Sequence, residues 1–380
     1  MQIEKCVWTE KSGWSPTVPG RFNGHAQLVF IFGSHATFQK NALIEQIKAA
    51  YPEAILFGCT TAGEISDTQV LDDSITSTAV RFEHTKLKYI HRPIEQPEDS
   101  LKVGLELGEA LVADQLKHVL VLTEGVHING SEFVKGLVSK LPQCVTATGG
   151  LSGDGERMEE TYVLADGQPR QKTISAVGFY SNQRLKIGYG SLGGWDPFGP
   201  DRLITRSEGN VLFEMDGKSA LELYKTYLGE HAKGLPATGL LFPLSLRMPG
   251  SETGVVRTVL AVNEKEQSMT FAGDVPEGAY ARLMKANFDR LIDGASGAAE
   301  TCYQAIKETP PDLALLISCV GRKMVLKQRV EEEVESVREM FGNNTVLTGF
   351  YSYGEISPFT PHASCELHNQ TMSITTISEH

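Results

Sequence analysis

Glu64 and Glu355 each complete the same short frame, a glycine, four residues and then Gly-Glu. The two copies read Gly58-Cys-Thr-Thr-Ala-Gly63-Glu64 and Gly349-Phe-Tyr-Ser-Tyr-Gly354-Glu355. A third copy reads Gly150-Leu-Ser-Gly-Asp-Gly155-Glu156. A carboxylate at such a turn can meet a ligand ammonium, accept from backbone N–H groups or act as a general base. Its blander uses, capping a helix or pairing with an arginine, weigh somewhat more. A phosphate-binding loop would carry lysine here, so the frame repels phosphate and disfavours a nucleoside triphosphate. Glycine just past a buried strand allows positive φ and close backbone approach. Small groups beside it sit where open α/β sheets place ligands. The first frame offers Gly58, Cys59, Thr60, Thr61, Gly63 and Glu64 as candidate ligand-binding residues. Gly150 and Gly155 of the second frame, and Tyr351, Ser352, Gly354 and Glu355 of the third, complete the repeated set.

The remaining chemistry is weaker. Cys365-Glu-Leu-His368-Asn369 has C-x-x-H spacing, but residues three apart in a strand face opposite ways and cannot share one ion. That argues against zinc. His368 alone stays a candidate cofactor ligand beside its structural reading, and Asn369 joins the candidate ligand-binding residues. His25, His35, His127 and His231 also fall near predicted turns or strand ends. Cys59 and Cys319 could serve as nucleophiles only with a base in reach, and buried thiol is the better reading. The chain lacks G-x-S-x-G, H-E-x-x-H and C-x-x-C-H. Gly188-Tyr-Gly-Ser-Leu-Gly193 is followed by Gly-Trp-Asp-Pro-Phe-Gly199 where a dinucleotide fold needs a helix, so it is no Rossmann fingerprint.

These residues need elements to hold them. Around each frame the chain repeats strand, helix, strand, frame, strand. The first unit runs from Leu28-Val-Phe-Ile-Phe32 through a helix over 41–51 to Ala54-Ile-Leu-Phe57 and a β-rich run over 74–82. The helix rests on apolar Leu43, Ile44, Ile47 and Ala50. The second runs from Val119-Leu-Val-Leu122 to strands near 161–164 and 174–179. The third runs from Leu313-Ala-Leu-Leu-Ile317 to a strand ending at Ile377. A weaker echo, Gly273-Asp-Val-Pro-Glu-Gly278, is expected to lead into a helix over 280–291. Gly193–Pro200 reads either as a connector over a core edge or as an apolar lid. The expected fold class is α/β, with repeated strand-helix-strand-Gly-turn-strand units forming mixed sheets in two associated domains, 24–220 and 221–380.

The 380 residues carry 35 basic against 47 acidic side chains, a net charge of -12 that argues against nucleic acid. The apolar runs have strand length, and the N-terminus lacks the apolar core of a signal peptide, so no membrane contact and a cytoplasmic address are expected. Six scattered cysteines without C-x-x-C indicate neither a disulfide framework nor a zinc ribbon.

Leu56-Phe-Gly-Cys-Thr-Thr-Ala-Gly-Glu-Ile65 resembles the signature of the N-terminal FIST sensory domain. Gly349–Pro358 and Cys365-Glu-Leu-His-Asn-Gln-Thr-Met372 resemble that of its C-terminal partner. Gly149–Gly155, Gly194–Gly199 and Arg206-Ser-Glu-Gly-Asn210 extend the similarity through the middle. The resemblance implies a small-ligand sensor and not an enzyme, with amino acids among the suggested ligands. One branch consists of stand-alone haem proteins that sense nitric oxide and regulate a histidine kinase, and a chain of this length looks like that branch. The expectation is thus a cytoplasmic sensor that binds haem and answers to a histidine kinase or other signalling partner, with homo-oligomerisation left open. The alternatives are a sensor of amino acids without haem, and an enzyme using a Cys nucleophile or a Glu base.

Overall fold

A computed structural model describes residues 1–251, 254–307, 309–359 and 363–379. Among them the strands assemble into four sheets. Three are copies of one plan. In the first, Leu28–Gly33 lies parallel to Ile55–Thr60 on one side and antiparallel to Ser74–Arg81 on the other. In the second, Leu116–Thr123 holds the same place between Thr146–Leu151 and Thr173–Tyr180. In the third, Leu313–Cys319 lies between Val346–Ser352 and Met372–Glu379. An antiparallel strand flanks each copy: Gln2–Thr9, Lys86–Pro93 and Leu185–Leu192 respectively.

The other edge of each sheet comes from a neighbour. The strands that follow the first frame, Glu64–Ser66 and Gln69–Leu71, extend the third sheet at Val346–Ser352. The hairpin after the second frame, Val163–Ala165 with Gln168–Arg170, extends the first sheet. The one after the third frame, Gly354–Pro358 with Cys365–His368, extends the second. The exchange is cyclic, so the three sheets close into a ring.

Their inner faces share one core. Phe30, Phe32, Phe57 and Cys59 meet Leu120, Leu122 and Phe179 from the second sheet and Leu315, Ile317 and Phe350 from the third. Phe32 stacks on Phe350 with centroids 4.7 Å apart. Each such ring contributes roughly 1.5–3 kcal/mol by burial. The threonines among them pair across sheets, Thr78 with Thr348 at 3.0 Å and Thr375 with Thr148 at 2.7 Å, so the polar groups placed in this core are satisfied.

Amphipathic helices cover the outer faces. Ser100–Leu111 packs on Gly130–Lys140 over the second sheet, and Phe288–Ala305 on Val330–Phe341 over the third. A Cβ on Gly104 would stand 2.2 Å from the Phe133 carbonyl oxygen, so glycine sets how closely the first pair approaches. No helix among the described residues is long and apolar enough to cross a membrane.

A fourth, antiparallel sheet occupies residues 196–285, between the flanking strand of the third unit and its first helix. Its core is built around helix Ala220–Leu228, with Leu221 and Tyr224 packed on Leu244, Met269 and Phe271. Here the expected helix over 280–291 is corrected. Tyr280–Lys285 is a strand paired with Leu244–Arg247, burying Ala281 and Leu283, and the helix starts at Phe288 after the Asn287 cap. Leu283, Met284, Phe288 and Leu291 suit either period over so short a window, and the sheet edge decides. The Gly193–Pro200 segment is a connector over a core edge: Trp195 is buried beside Met284 and Leu326, and its indole N–H donates to the Gln370 carbonyl at 2.9 Å.

Candidate functional site

The two frame glutamates do the same structural task. Thr61 Oγ1 donates to Glu64, whose other oxygen accepts the Ser74 amide at 3.2 Å and the Ser74 hydroxyl at 2.6 Å. Ser352 Oγ donates to Glu355 at 2.6 Å, and the Thr371 amide and hydroxyl approach its second oxygen at 3.2 and 2.9 Å. Both glutamates are fully buried. Burial pushes Glu64 up to about 7 and Glu355 up to about 8, against the pull of these donors.

The second frame departs in register. Gly58, Gly149 and Gly349 are the glycines pressed on the parallel neighbour, where a Cβ would lie 1.9, 1.9 and 1.8 Å from a carbonyl oxygen. The equivalent of Gly58 is therefore Gly149 and not Gly150, which holds the place of Cys59. Ser152 takes the place of Thr61. Asp154 follows where the other frames carry glycine, and its carboxylate accepts the amides of Met158, Glu159 and Glu160 and the Tyr353 hydroxyl. These bonds hold Asp154 below the usual carboxylate range although burial opposes them. Gly155 sits in an open turn at φ +76°, and Glu156 is exposed.

The three frames brace one another. The Ala62 amide donates to the Tyr351 carbonyl at 2.9 Å, Gly153 to Thr60 at 2.9 Å and Tyr353 to Leu151 at 3.2 Å. Thr60 Oγ1 accepts the Tyr162 amide at 2.9 Å. Tyr351 donates to Glu333 at 2.6 Å, beside the buried Arg322–Glu333 pair. Lys323 donates to the Ala62 carbonyl at 2.8 Å and fills the space beside Gly63, while Gly354 abuts Leu367. Most of the candidate set is thus brought together, at the junction of the sheets, as a brace. Asn369 is fully buried there, with neither side-chain amide atom paired among the described residues.

The cysteine and histidine candidates, His25 apart, lie inside the protein or in local pairs. Cys59 and Cys319 are buried and burial pushes both thiols up, which removes the nucleophile reading. His368 is 1% exposed, its Nε2 lies 2.8 Å from the Ser357 carbonyl, and burial pushes it down to about 4. That nitrogen is spent on the backbone and the ring packs on Phe359 at 5.5 Å, so these residues do not fit an axial haem ligand. His35 pairs with Glu160 at 2.8 Å and His127 with Glu124 at 3.5 Å, His231 packs on Phe242, and His25 is exposed. Among the described residues no group of three His, Cys, Asp or Glu is spaced to hold a metal.

The space for a ligand lies elsewhere. A cleft of about 650 Å³ opens at the carboxyl ends of the second sheet's strands, under the fourth sheet. Gly125, Val126 and Leu151 form one wall with Tyr353 of the third frame, and Gly209, Asn210, Phe271 and Gly273 form the other. Glu98, Glu132 and Asp274 line it, and among the described residues no lysine, arginine or histidine does. Just behind the wall Glu124 is 1% exposed. One of its oxygens accepts the Val126 amide at 3.0 Å, the other has no partner among the described residues, and burial pushes the carboxyl up. Asn129 caps helix Gly130–Lys140 and donates to Asp274 at 3.1 Å, tying the two walls. None of the candidate frame residues lines this cleft. The signals that could have found it are Gly209-Asn210 and the Gly273 echo, both visible in the sequence but unassigned there.

The chain is a mixed α/β ring of three related sheets with an inserted antiparallel sheet, with a closed brace at the sheet junction and an acidic cleft beside it. The FIST N domain model matches residues 27–218 and the FIST C domain model residues 220–358, so the chain belongs to the FIST family. FIST domains are small-ligand sensory domains of signalling proteins, sensory rather than catalytic. The two matches meet inside the inserted domain. An uncharacterized protein of Methanocaldococcus jannaschii is 23% identical over 223 residues, 54% of this chain and 40% of that protein. The chain thus spans about two fifths of the length of the curated relative it matches. The crystal structure of a cyanuric acid hydrolase from A. caulinodans aligns with 77% of this chain and 99% of its own at 10% identity, with a TM-score of 0.19, too low to carry any argument.

Proposed function

We propose that this chain is a sensor for a small, amine-bearing molecule, amino acids included, bound in the cleft between the second sheet and the inserted domain. One observation carries the reading: the cleft is lined by Glu98, Glu132 and Asp274 and, among the described residues, by no basic side chain. A partly desolvated acidic cleft attracts a cation far more strongly than open water does. The apolar lining, Val126, Leu151, Leu260 and Phe271, would take the rest of the ligand. A ligand touching both walls favours the arrangement in which they stand together, and a signalling partner that reads that arrangement receives the signal. A histidine kinase as this partner rests on the branch resemblance alone.

The test is a thermal-shift and calorimetric screen of amino acids and short diamines against their acetylated, uncharged analogues. A saturable rise in Tm with the amines is expected, equivalent to about 2.7 kcal/mol at a hundred times Kd. Equal response to the acetylated analogues, or no response to any amine, would overturn the reading.

A further inference from the structure

A second cleft, of about 540 Å³, lies on the far side of Glu132 and Asp274, between helix Gly130–Lys140, strands Leu244–Arg247 and Val255–Arg257, and hairpin strand Cys365–His368. Its lining is mostly apolar, with Val134, Val138, Leu246, Val255 and Leu367. Into this surface is set one guanidinium. Arg257 is 5% exposed, and its Nε donates to the Asp274 carbonyl at 3.1 Å and its Nη1 to the Leu367 carbonyl at 2.9 Å. These are neutral acceptors. Among the described residues no carboxylate oxygen lies within 4.0 Å of Arg257, and its Nη2 has no acceptor. Burial alone pushes the group down to about 10, so it is charged at neutral pH.

A buried guanidinium held only by carbonyl oxygens, with Asp274 and Glu366 near it but not in contact, is incompletely paired, and an anion in the cleft would complete it. From the guanidinium and its apolar surroundings we propose that this second cleft binds a small monocarboxylate with an apolar tail, its head on Arg257 and its tail on Val134, Val138 and Leu246. A carboxylate accepts from the unused edge of the guanidinium in a charge-assisted pair, and the tail shields that pair from water. Asp274 and Glu366 stand close enough to act on Arg257 and would repel a dianion, so phosphate and dicarboxylates are poor ligands. Glu132 and Asp274 line both clefts, but the head group here is an anion and its holding residue is Arg257, which does not line the amine cleft.

The experiment titrates the whole chain with sodium octanoate, following Tm and heat of binding, with octanol, octylamine and inorganic phosphate as comparisons. A saturable upward shift with octanoate is expected, at least about tenfold tighter than with octanol, which corresponds to loss of one charge-assisted contact. Arg257→Gln removes the preference for octanoate over octanol. Should that variant fail to fold, Val255→Trp fills the cleft from its wall, keeps the arginine and abolishes octanoate binding. The proposal is overturned if octanoate binds no better than octanol, if a folded Arg257→Gln chain keeps the preference, or if Val255→Trp binds octanoate as the parent does. Amine and octanoate titrations are run separately, so either reading can fail alone.

Discussion

The first and third frames are sealed, whereas the second is open. In the sealed pair a glutamate two residues after the strand's bend is consumed by hydroxyl and amide donors from its own unit. In the open copy Asp154 turns to cap its own loop, Glu124 keeps an oxygen without a partner, and a cleft begins at Gly125 and Leu151. One architectural unit therefore supports two uses. Where the carboxylate is satisfied internally the strand ends form a joint, and where it is redirected a cleft opens beside them.

The largest loss is expected at the strand glycines. Gly349→Ala puts a Cβ where the Leu316 carbonyl oxygen already stands, at 1.8 Å, and neither backbone can give way. A loss of roughly 3 kcal/mol or more, or failure to fold, is expected in urea denaturation. Gly149→Ala should behave alike and Gly150→Ala more mildly, which checks the one-residue register shift.

Glu355→Ala strands the Ser352 and Thr371 donors and should cost about 2–4 kcal/mol. Glu355→Gln should cost much less, because the amide N–H₂ imitates the neutral acid and leaves the Ser352 hydroxyl to the Ser318 carbonyl at 3.3 Å. The same neutral acids predict a pH slope. Both folded values, about 7 and about 8, lie above the unfolded carboxyl value near 4.5. Unfolding therefore releases protons between pH 4.5 and 8, and stability contributed by the neutral forms is full below that window and falls through it as pH rises. Denaturation midpoints at pH 5 and 8 should differ in that sense, and the Glu64→Gln, Glu355→Gln double variant should flatten the difference. An unchanged slope would show that the sealed frames hold carboxylates.

On the inserted-domain wall that faces the open copy, Asp274→Asn should weaken amine binding by roughly tenfold through loss of one charged contact. Calorimetry on the folded variant checks it, and Glu64→Gln should leave that affinity unaltered. The smallest effect is expected at Gly155→Ala. That turn has φ +76° but nothing within 4 Å, so the cost is about 1 kcal/mol of backbone strain, readable as a small shift in midpoint.

The repeated unit was legible because its signals are local: apolar strands, a 3.6-residue helical stripe and glycines at fixed spacing. Mixed sheets and the FIST family followed from them. The second register was not legible, since Gly149-Gly150 is a doublet and the Asp154 loop moves the following glutamate out of place. Nor was the strand over Tyr280–Lys285, whose period is settled by Leu244–Arg247 some forty residues away. The acidic cleft escaped because its walls come from residues near 98, 125, 210, 272 and 353, brought together only by the cyclic exchange of edge strands.

That exchange also sets a timetable for biosynthesis. Glu64–Ser66 finds its partner only when Thr348–Phe350 has been made, about 280 residues later. At ribosomal speeds of about 5–20 residues per second, the wait is roughly a quarter of a minute to a minute. Through that interval the nascent chain carries an unpaired β edge, a template for wrong pairing. The ring closes only once the strands of the third unit have been made.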